Sequence, residues 1–168
     1  GAADPESAAL ANALLRKNVN SAVLESTFVG PKFKLHVSQD IALTGAIMDL
    51  KIDGVSVPHK TVIRANSGSI VEIGRATHGC RSYLAFGDNI TGTDFLGSVS
   101  TYLPSKLGGF KGRMIEKGDC LSLEKNHYEE DYQKAMKNTQ QANYSHSWLI
   151  RVTEGPEYDL LSTTSKDG

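Results

Sequence analysis

The first apolar residues of the chain have helical spacing. Leu10 and Leu14 lie four positions apart, with Ala11 and Leu15 beside them, so a helix would place them in one apolar stripe. Asp4 is a suitable N-cap, and Pro5 occupies the first helical position, where its missing N–H costs nothing. The sequence predicts an N-terminal helix whose apolar face packs on the rest of the chain.

From residue 22 onward the apolar spacing changes to alternation. Phe33, Leu35 and Val37 alternate with polar residues, which predicts a strand with one solvent-facing side. Asp53-Gly54 lies between two short predicted strands, 49–52 and 55–57, and favours a type I′ hairpin turn. Further strands are predicted at 41–44, 61–64, 70–73, 80–86, 120–123 and 148–152.

Glycines separate these runs at intervals that suit many short strands. We expect a mainly β fold, a curved antiparallel sheet or small barrel, with the N-terminal helix against it. Residues 124–145 are polar almost throughout and are expected to form an exposed helix or a mobile excursion. A length of 168 residues suits a single domain spanning 1–168.

Composition excludes several classes of protein. The chain is 39% hydrophobic and 22% charged, which is typical of a folded globular protein. Its net charge of −1 lacks the basic excess of a nucleic-acid-binding protein. The apolar runs are too short for a membrane span and residues 1–6 do not resemble a signal peptide, so we expect a cytoplasmic location and reduced thiols at Cys80 and Cys120.

The familiar motifs of metal and nucleotide sites are absent from the sequence. The five histidines have no metal-ligand spacing, and neither cysteine belongs to a C-x-x-C pair, so no metal site is expected. The chain also contains neither a phosphate-binding loop of the P-loop type nor a nucleophile elbow.

A loop rich in hydroxyl groups and glycine is the most suggestive stretch. Three hydroxyls fall within four residues, and glycines and basic residues follow, so the loop could hold a carboxylate or a phosphate. The alternative is an ordinary loop pair, in which the hydroxyls satisfy turn backbone groups and the glycines supply positive φ angles. The candidate residues are Ser98, Ser100, Thr101, Tyr102, Gly108, Gly109, Lys111 and Arg113.

Three further side chains are candidates for a site. Arg81 and Tyr83 share one face of a predicted strand and could hold a substrate carboxylate, although Arg81 could equally be a surface ion-pair partner. Glu25 lies in an apolar run. It is either a buried carboxylate with a raised pKa and a candidate general base, or it points to the solvent side of its strand, which the alternation favours.

The order of many short motifs resembles the KipA family, also called the allophanate hydrolase subunit 2 family. The motifs extend over nearly the whole chain. They include Ala3-Asp4-Pro5, Val23-Leu24-Glu25, Gly30-Pro31, Ala42-Leu43-Thr44-Gly45-Ala46, Arg81-Ser82-Tyr83-Leu84-Ala85, Ser100-Thr101-Tyr102, Gly108-Gly109 and Gly155-Pro156.

The resemblance implies two cyclophilin-like β-barrel halves with the ligand site between them, and this chain resembles the first half. It departs from the family at Gly87-Asp88, where a glycine pair is usual, and at Val99, where arginine is common. An arginine there could clamp an anion, so its absence bears on activity.

The functions of the family suggest three hypotheses. The first is a subunit of an ATP-dependent 5-oxoprolinase-like amidohydrolase that converts 5-oxoproline to glutamate with a KipI-like partner and, in some complexes, a third subunit. The complex uses the ATP, and this chain alone is expected to bind no cofactor. The second is a binding module that sequesters a KipI-like kinase inhibitor. The third is a carboxyltransferase-like domain of a urea carboxylase or allophanate pathway.

The first hypothesis assigns roles to named residues. Asp4 or Glu25 is the base that activates water, and Ser100 belongs to the catalytic loop. The loop binds the lactam or its phosphorylated form with backbone donors. The expected substrate-binding residues are Arg81, Tyr83, Ser98, Thr101, Tyr102, Gly108, Gly109 and Arg113.

Overall fold

A computed structural model describes residues 1–126, 147 and 149–166. The predicted polar excursion at 124–145 lies outside the described residues from position 127 onward. In the described part of the chain, no helix is long and apolar enough to cross a membrane.

The N-terminal helix, α1, confirms the sequence prediction. Its Asp4 cap accepts hydrogen bonds from the Ser7 backbone N–H at 3.0 Å and from the Ser7 hydroxyl at 2.6 Å. These bonds satisfy an otherwise unpaired donor of the first turn. Helix α1 spans Pro5–Leu14.

In the part of the chain that the structure describes, eight strands follow α1. They are β1 Leu24–Thr27, β2 Lys32–Lys34, β3 Gln39–Ile52, β4 Val55–Val57, β5 Ile63–Ala65, β6 Ile70–Phe86, β7 Asn89–Ile90 and β8 Leu123–Glu124. Two 3₁₀ helices span Leu103–Ser105 and Tyr158–Leu160, and a four-residue α-helix spans Thr163–Lys166.

The long strands β3 and β6 form the centre of a six-stranded antiparallel sheet. Strands β1 and β2 pair with β6, whereas β4 and β5 pair with β3. Strands β7 and β8 form a separate two-stranded sheet. The mainly β, antiparallel fold class is therefore confirmed.

Glycines lie inside the long strands, where the sequence predicted breaks between short ones. The register of β3 against β6 shifts between Gly45 and Ile47. Gly45 has a φ of +80°, and a Cβ there would lie 2.5 Å from the carbonyl oxygen of Arg81. Glycine therefore permits a bulge and a close backbone approach, and the strand continues through it.

The Asp53-Gly54 turn confirms the predicted hairpin. Asp53 and Gly54 have φ angles of 53° and 83°, as a type I′ turn requires of both central residues. Ile52 pairs with Val55 at the ends of the flanking strands β3 and β4.

The predicted closure into a cyclophilin-like barrel is not confirmed. Within the described residues the main sheet runs from β1 through β6 and β3 to β4, and these ends are not joined. Of the predicted strand 120–123 only Leu123 lies in a strand, and it pairs with Ile90 in the small sheet.

The predicted strand at 148–152 is wrong for its described residues. Positions 149–152 have no strand assignment, and Leu149 is 93% exposed. Strands are stabilised by partners and by burial of one face, and an apolar run alone supplies neither. Trp148 lies outside the described residues.

The two faces of the main sheet carry separate apolar clusters. Ile41 and Leu43 of β3 point into the larger cluster, whereas Ala42 between them faces α1. The alternation of strand side chains produces this division. On the helix side, Ala8, Ala11 and Leu15 pack with Ala42, Tyr83 and Ala85.

Candidate functional site

A group of polar residues surrounds the N-terminal end of α1. Tyr83 of β6 is fully buried beneath this end, and its hydroxyl accepts a hydrogen bond from the Asp4 backbone N–H at 2.8 Å. Glu25 of β1 lies opposite Tyr83 in the strand register. Because strand side chains alternate, Arg81 shares the face of Tyr83. We call Ala3, Asp4, Glu25, Arg81 and Tyr83 the N-terminal cluster.

Glu25 contacts three other members of the N-terminal cluster, Ala3, Arg81 and Tyr83. Its Oε2 accepts a hydrogen bond from the Ala3 backbone N–H at 3.0 Å, and its Oε1 lies 3.3 Å from Arg81 Nε. The side chains of Arg81 and Glu25 are 43% and 35% exposed. The structure thus supports the solvent-facing alternative for Glu25 and makes Arg81 its ion-pair partner.

The Tyr83 hydroxyl remains protonated in this setting. Burial raises the pKa of Tyr83 well above its usual value, and the neighbouring Glu25, which accepts a hydrogen bond from the hydroxyl, raises it further. Tyr83 therefore fixes Glu25 and the Asp4 backbone in place, and its own burial keeps it away from solvent.

The two candidate bases, Asp4 and Glu25, differ in how far their carboxylates are occupied by hydrogen bonds within the fold. Both carboxylate oxygens of Asp4 accept hydrogen bonds from Ser7, so Asp4 serves as the cap of α1. Glu25 is held by its neighbours and remains partly exposed. The geometry favours Glu25 over Asp4 as the group that could accept a proton from water.

Residues 91–122, which we call the serine-loop segment, bring Ser100 to the N-terminus. Ser100 Oγ accepts a hydrogen bond from the Gly1 nitrogen at 3.0 Å, two residues before the start of the N-terminal cluster. Since this oxygen acts as the acceptor, the hydroxyl hydrogen of Ser100 remains available for donation. Ser100 therefore contacts Gly1, which precedes Ala3 of the N-terminal cluster by two residues.

Other hydroxyls of the loop satisfy its own backbone. Ser98 Oγ accepts from the Ser100 N–H, and Thr101 Oγ1 accepts from the Phe110 N–H, each at 3.1 Å. Gly109 is buried with a φ of +55°, and a Cβ at this position would overlap Thr101 Oγ1. Gly108 beside it also has a positive φ. These contacts match the ordinary-loop alternative, and the ligand-binding roles stay predictions.

Within the described residues, Arg113 and Tyr102 form no hydrogen bond or ion pair with the N-terminal cluster: Arg113 is paired with Asp119, and Tyr102 is exposed. The Arg113 guanidinium donates two hydrogen bonds to Asp119, at 2.7 and 2.8 Å, and one to the Met114 carbonyl. These bonds lower the pKa of Asp119 to about 2. A ligand anion would have to displace Asp119 to reach Arg113. The Tyr102 side chain is exposed, and its backbone pairs with Leu107.

Sequence reasoning missed Lys17. Its side chain is 1% exposed, and its Nζ donates to the carbonyl oxygens of Phe86 at 2.9 Å and Asp88 at 2.8 Å. Burial lowers the pKa of Lys17 to about 8, and the Asp88 charge opposes this shift in part. A lysine just past a helix is usually solvent-exposed, so the local sequence contains no signal for this burial.

Within the described residues, no group of three or more His, Cys, Asp and Glu side chains is arranged to hold a metal ion. Cys80 is partly buried, Cys120 is exposed, and both are free thiols.

Known proteins are similar to this chain in sequence. A urea amidolyase from Saccharomyces cerevisiae is 32% identical over 161 residues, which cover 93% of this chain and 9% of that protein. A subunit of the 5-oxoprolinase from Escherichia coli is 30% identical over 167 residues, which cover 99% of this chain and 52% of that protein. The chain therefore spans about half of the bacterial protein and less than a tenth of the yeast enzyme.

The fold is also similar to a solved structure. The crystal structure of the Kluyveromyces lactis urea amidolyase matches with a TM-score of 0.72 and 34% identity, over 73% of this chain and 7% of that one. The family model described as carboxyltransferase domain, subdomain A and B, matches residues 1–167. The resemblance stated from the sequence is confirmed, and the chain belongs to this carboxyltransferase-domain family.

Proposed function

We propose that this chain is part of the substrate-binding subunit of an ATP-dependent, 5-oxoprolinase-like amidohydrolase that works with a KipI-like partner in the cytoplasm. The similarity to the Escherichia coli 5-oxoprolinase subunit, which extends over 99% of the chain, supports this function. The observation that supports it most directly is the hydrogen bond from the Gly1 nitrogen to Ser100 Oγ, because Gly1 lies two residues before Ala3, whose N–H binds the Glu25 carboxylate.

The substrate of this reaction is a cyclic amide that bears a carboxylate. In the proposed site, the partly exposed Arg81 pairs with that carboxylate, for which a guanidinium is well suited. Ser100 donates its hydroxyl hydrogen to the amide oxygen or to a phosphoryl group placed on it, and so stabilises the developing negative charge. Activation by ATP is expected in the complex.

Glu25 is the proposed general base. It would accept a proton from a water molecule as the water oxygen bonds to the amide carbon. The carbon–nitrogen bond of the ring then breaks, the nitrogen takes up the proton from Glu25, and a phosphoryl group carried by the amide oxygen leaves as inorganic phosphate, which yields glutamate. Tyr83 and the Ala3 N–H hold the Glu25 carboxylate in position during this step.

Turnover by the reconstituted complex tests this proposal. The full-length gene product, mixed with its neighbouring subunits, 5-oxoproline and ATP, should form glutamate, and omission of this subunit should abolish the product. Ser100→Ala should lower kcat by about 100-fold, since lost stabilisation of a developing charge costs roughly that much. Ser105→Ala, an exposed hydroxyl in a 3₁₀ helix of the same segment, is the matched control and should leave the rate unchanged.

Two results would contradict the proposal. An unchanged rate in Ser100→Ala would remove Ser100 from the site. A tight complex without turnover would favour the regulatory binding module.

A second candidate is a carboxyltransferase domain that acts on urea. The 34% identity and TM-score of 0.72 to the Kluyveromyces lactis urea amidolyase favour it. The same preparation, supplied with carboxylated biotin and urea instead of 5-oxoproline and ATP, should then form allophanate. Formation of allophanate without glutamate would replace the first proposal by the second.

We also propose that the main sheet closes into a cyclophilin-like barrel. The strands that close it would come from outside the described residues. A crystal structure of the complex would test it.

A further inference from the structure

The serine-loop segment leaves and rejoins the main fold at adjacent points. It begins directly after β7 and ends at β8. Only Gly87 and Asp88 separate β7 from the end of β6 at Phe86. Strands β7 and β8 pair with each other, Asn89 with Glu124 and Ile90 with Leu123. Whatever holds this pair on the main sheet therefore holds both ends of the segment.

Lys17 holds the first end. Its buried ammonium group donates to the carbonyls of Phe86 and Asp88, on both sides of Gly87, where β6 gives way to β7. A buried ammonium loses its hydration, so donors aimed at two carbonyls are needed to offset that cost. Lys17 also follows α1, whose other end is capped by Asp4 of the N-terminal cluster. Helix α1 thus connects the N-terminal cluster to the point where the segment begins.

Asp88 joins the first end to the second. Its backbone N–H donates to Gln39 Oε1 at 3.1 Å, and its Oδ2 accepts from Gln39 Nε2 at 2.7 Å. Its Oδ1 accepts from the backbone N–H of Asn126, just beyond β8, at 3.4 Å. Gln39 is itself buried at the start of β3, so these bonds attach both ends of the segment to the central sheet.

We propose that Lys17, Gln39, Asp88 and Asn126 form a clamp that fixes both ends of the serine-loop segment and so sets the position of Ser100 relative to the N-terminal cluster. These four are positioning residues. The meaning of that position for catalysis rests on the proposed function, whereas the clamp itself rests on the contacts above.

Amide hydrogen exchange of the full-length protein, measured without substrate, tests the clamp. The reporters are the Thr91 and Gly109 amides, which donate to Ser122 and Thr93 within the segment. In Lys17→Met these amides should exchange roughly 10-fold faster, because local opening no longer breaks two buried hydrogen bonds. The amides of β3 should change by less than about 3-fold.

Matched variants separate positioning from general stabilisation. Lys34→Met removes an exposed lysine of β2 and should change nothing. Lys17→Arg keeps a cationic donor and should return the reporters to within about 3-fold of the wild-type rate. Asp88→Ala leaves the Lys17 acceptors in place but removes the carboxylate, so it should accelerate exchange most at Asn126.

Two outcomes would overturn the clamp. Equal acceleration in β3 and in the reporters would mean that Lys17 stabilises the whole fold without fixing the segment. Unchanged reporters in both Lys17→Met and Asp88→Ala would mean that other contacts hold the ends. Exchange needs no turnover, so failure of the clamp and failure of the proposed enzyme activity are separate results.

Discussion

The main sheet and the serine-loop segment are stabilised in different ways. In the sheet, Leu43 is 1% exposed within an apolar cluster, whereas Leu96 in the segment is 90% exposed. The segment is held by isolated backbone bridges such as Thr93 with Gly109, by hydroxyl groups that satisfy turns, and by the Arg113–Asp119 pair. Burial of apolar area dominates in the first region, and local hydrogen bonds dominate in the second.

The residues of the candidate site therefore belong to two regions that are stabilised differently. Glu25 lies on β1 and Arg81 and Tyr83 on β6 of the main sheet, whereas Ser100 lies on a segment whose local stability is expected to be lower. Binding residues on loops held by a rigid scaffold are a common arrangement in proteins. We therefore expect the position of Ser100 to vary more easily than the positions of Glu25 and Arg81.

Truncation of one leucine in each region gives the largest expected contrast. Leu43→Ala should lower the free energy of unfolding by about 2–5 kcal/mol, because it leaves a cavity in the core. Leu96→Ala should change it by less than about 0.5 kcal/mol. Urea denaturation measures both values, and similar losses in the two variants would refute the contrast.

Lys17 binds the backbone where the main sheet leads into the serine-loop segment. The pH dependence of stability tests its burial. The pKa of Lys17 is lowered to about 8 by burial, so above that pH the folded protein releases a proton that the unfolded chain still holds up to about 10.5. The free energy of unfolding of the wild type, relative to Lys17→Met, should therefore rise between about pH 8 and pH 10. The slope should be at most about 1.4 kcal/mol per pH unit. A flat difference would show that Lys17 is not buried in solution.

Glycine substitutions test whether the segment depends on local geometry. Gly109→Ala should lower the free energy of unfolding by about 2 kcal/mol or more, because it combines an unfavourable positive φ with overlap on Thr101. Gly97→Ala has a positive φ of 76° but open space, and should cost only about 1 kcal/mol. Thermal unfolding of the pair measures the difference, and equal costs would exclude the overlap as the cause.

The Arg113–Asp119 pair gives the smallest expected effect. Hydrogen bonds from Arg113 lower the pKa of Asp119 to about 2. The pair therefore stabilises the fold above the ordinary aspartate pKa of about 3.9, and this contribution is lost as pH falls toward 2. The stability difference between wild type and Asp119→Asn should shrink over that range in acid titrations. A difference that persists at pH 2 would contradict the pairing.

Features that depend on neighbours in sequence could be predicted. The Asp4 cap and the Asp53-Gly54 turn follow from local conformational preferences, and both are observed. The strand break expected at Gly45 is wrong, because a glycine that ends a strand and one that permits a bulge look alike in sequence. Residues 149–152 were predicted as a strand from their apolar character, which reveals nothing about a partner strand.

The contacts of the candidate site also divide into those that local sequence patterns predict and those that they do not. The alternation rule placed Arg81 and Tyr83 on one face and favoured the solvent side for Glu25. The bond between Ser100 and Gly1, and the burial of Lys17 against Phe86, join positions far apart in the chain. Such contacts depend on the path of the backbone in space, which single-sequence patterns do not specify.

The pairing of β1 with β6 has a consequence for the order in which the protein folds. Residues 53–69 separate β3 from β6, and Ile52 pairs with Val71, whereas Leu24 of β1 pairs with Leu84 much farther along the chain. Closing a longer loop costs more entropy before any contact is gained, so distant pairings form later. We expect the β3–β4 hairpin to form first and the pairing of β3 with β6 to follow, before β1 pairs with β6. On the ribosome, β1 cannot pair until β6 has been synthesised, so the N-terminal cluster assembles well after its own N-terminal residues have been made.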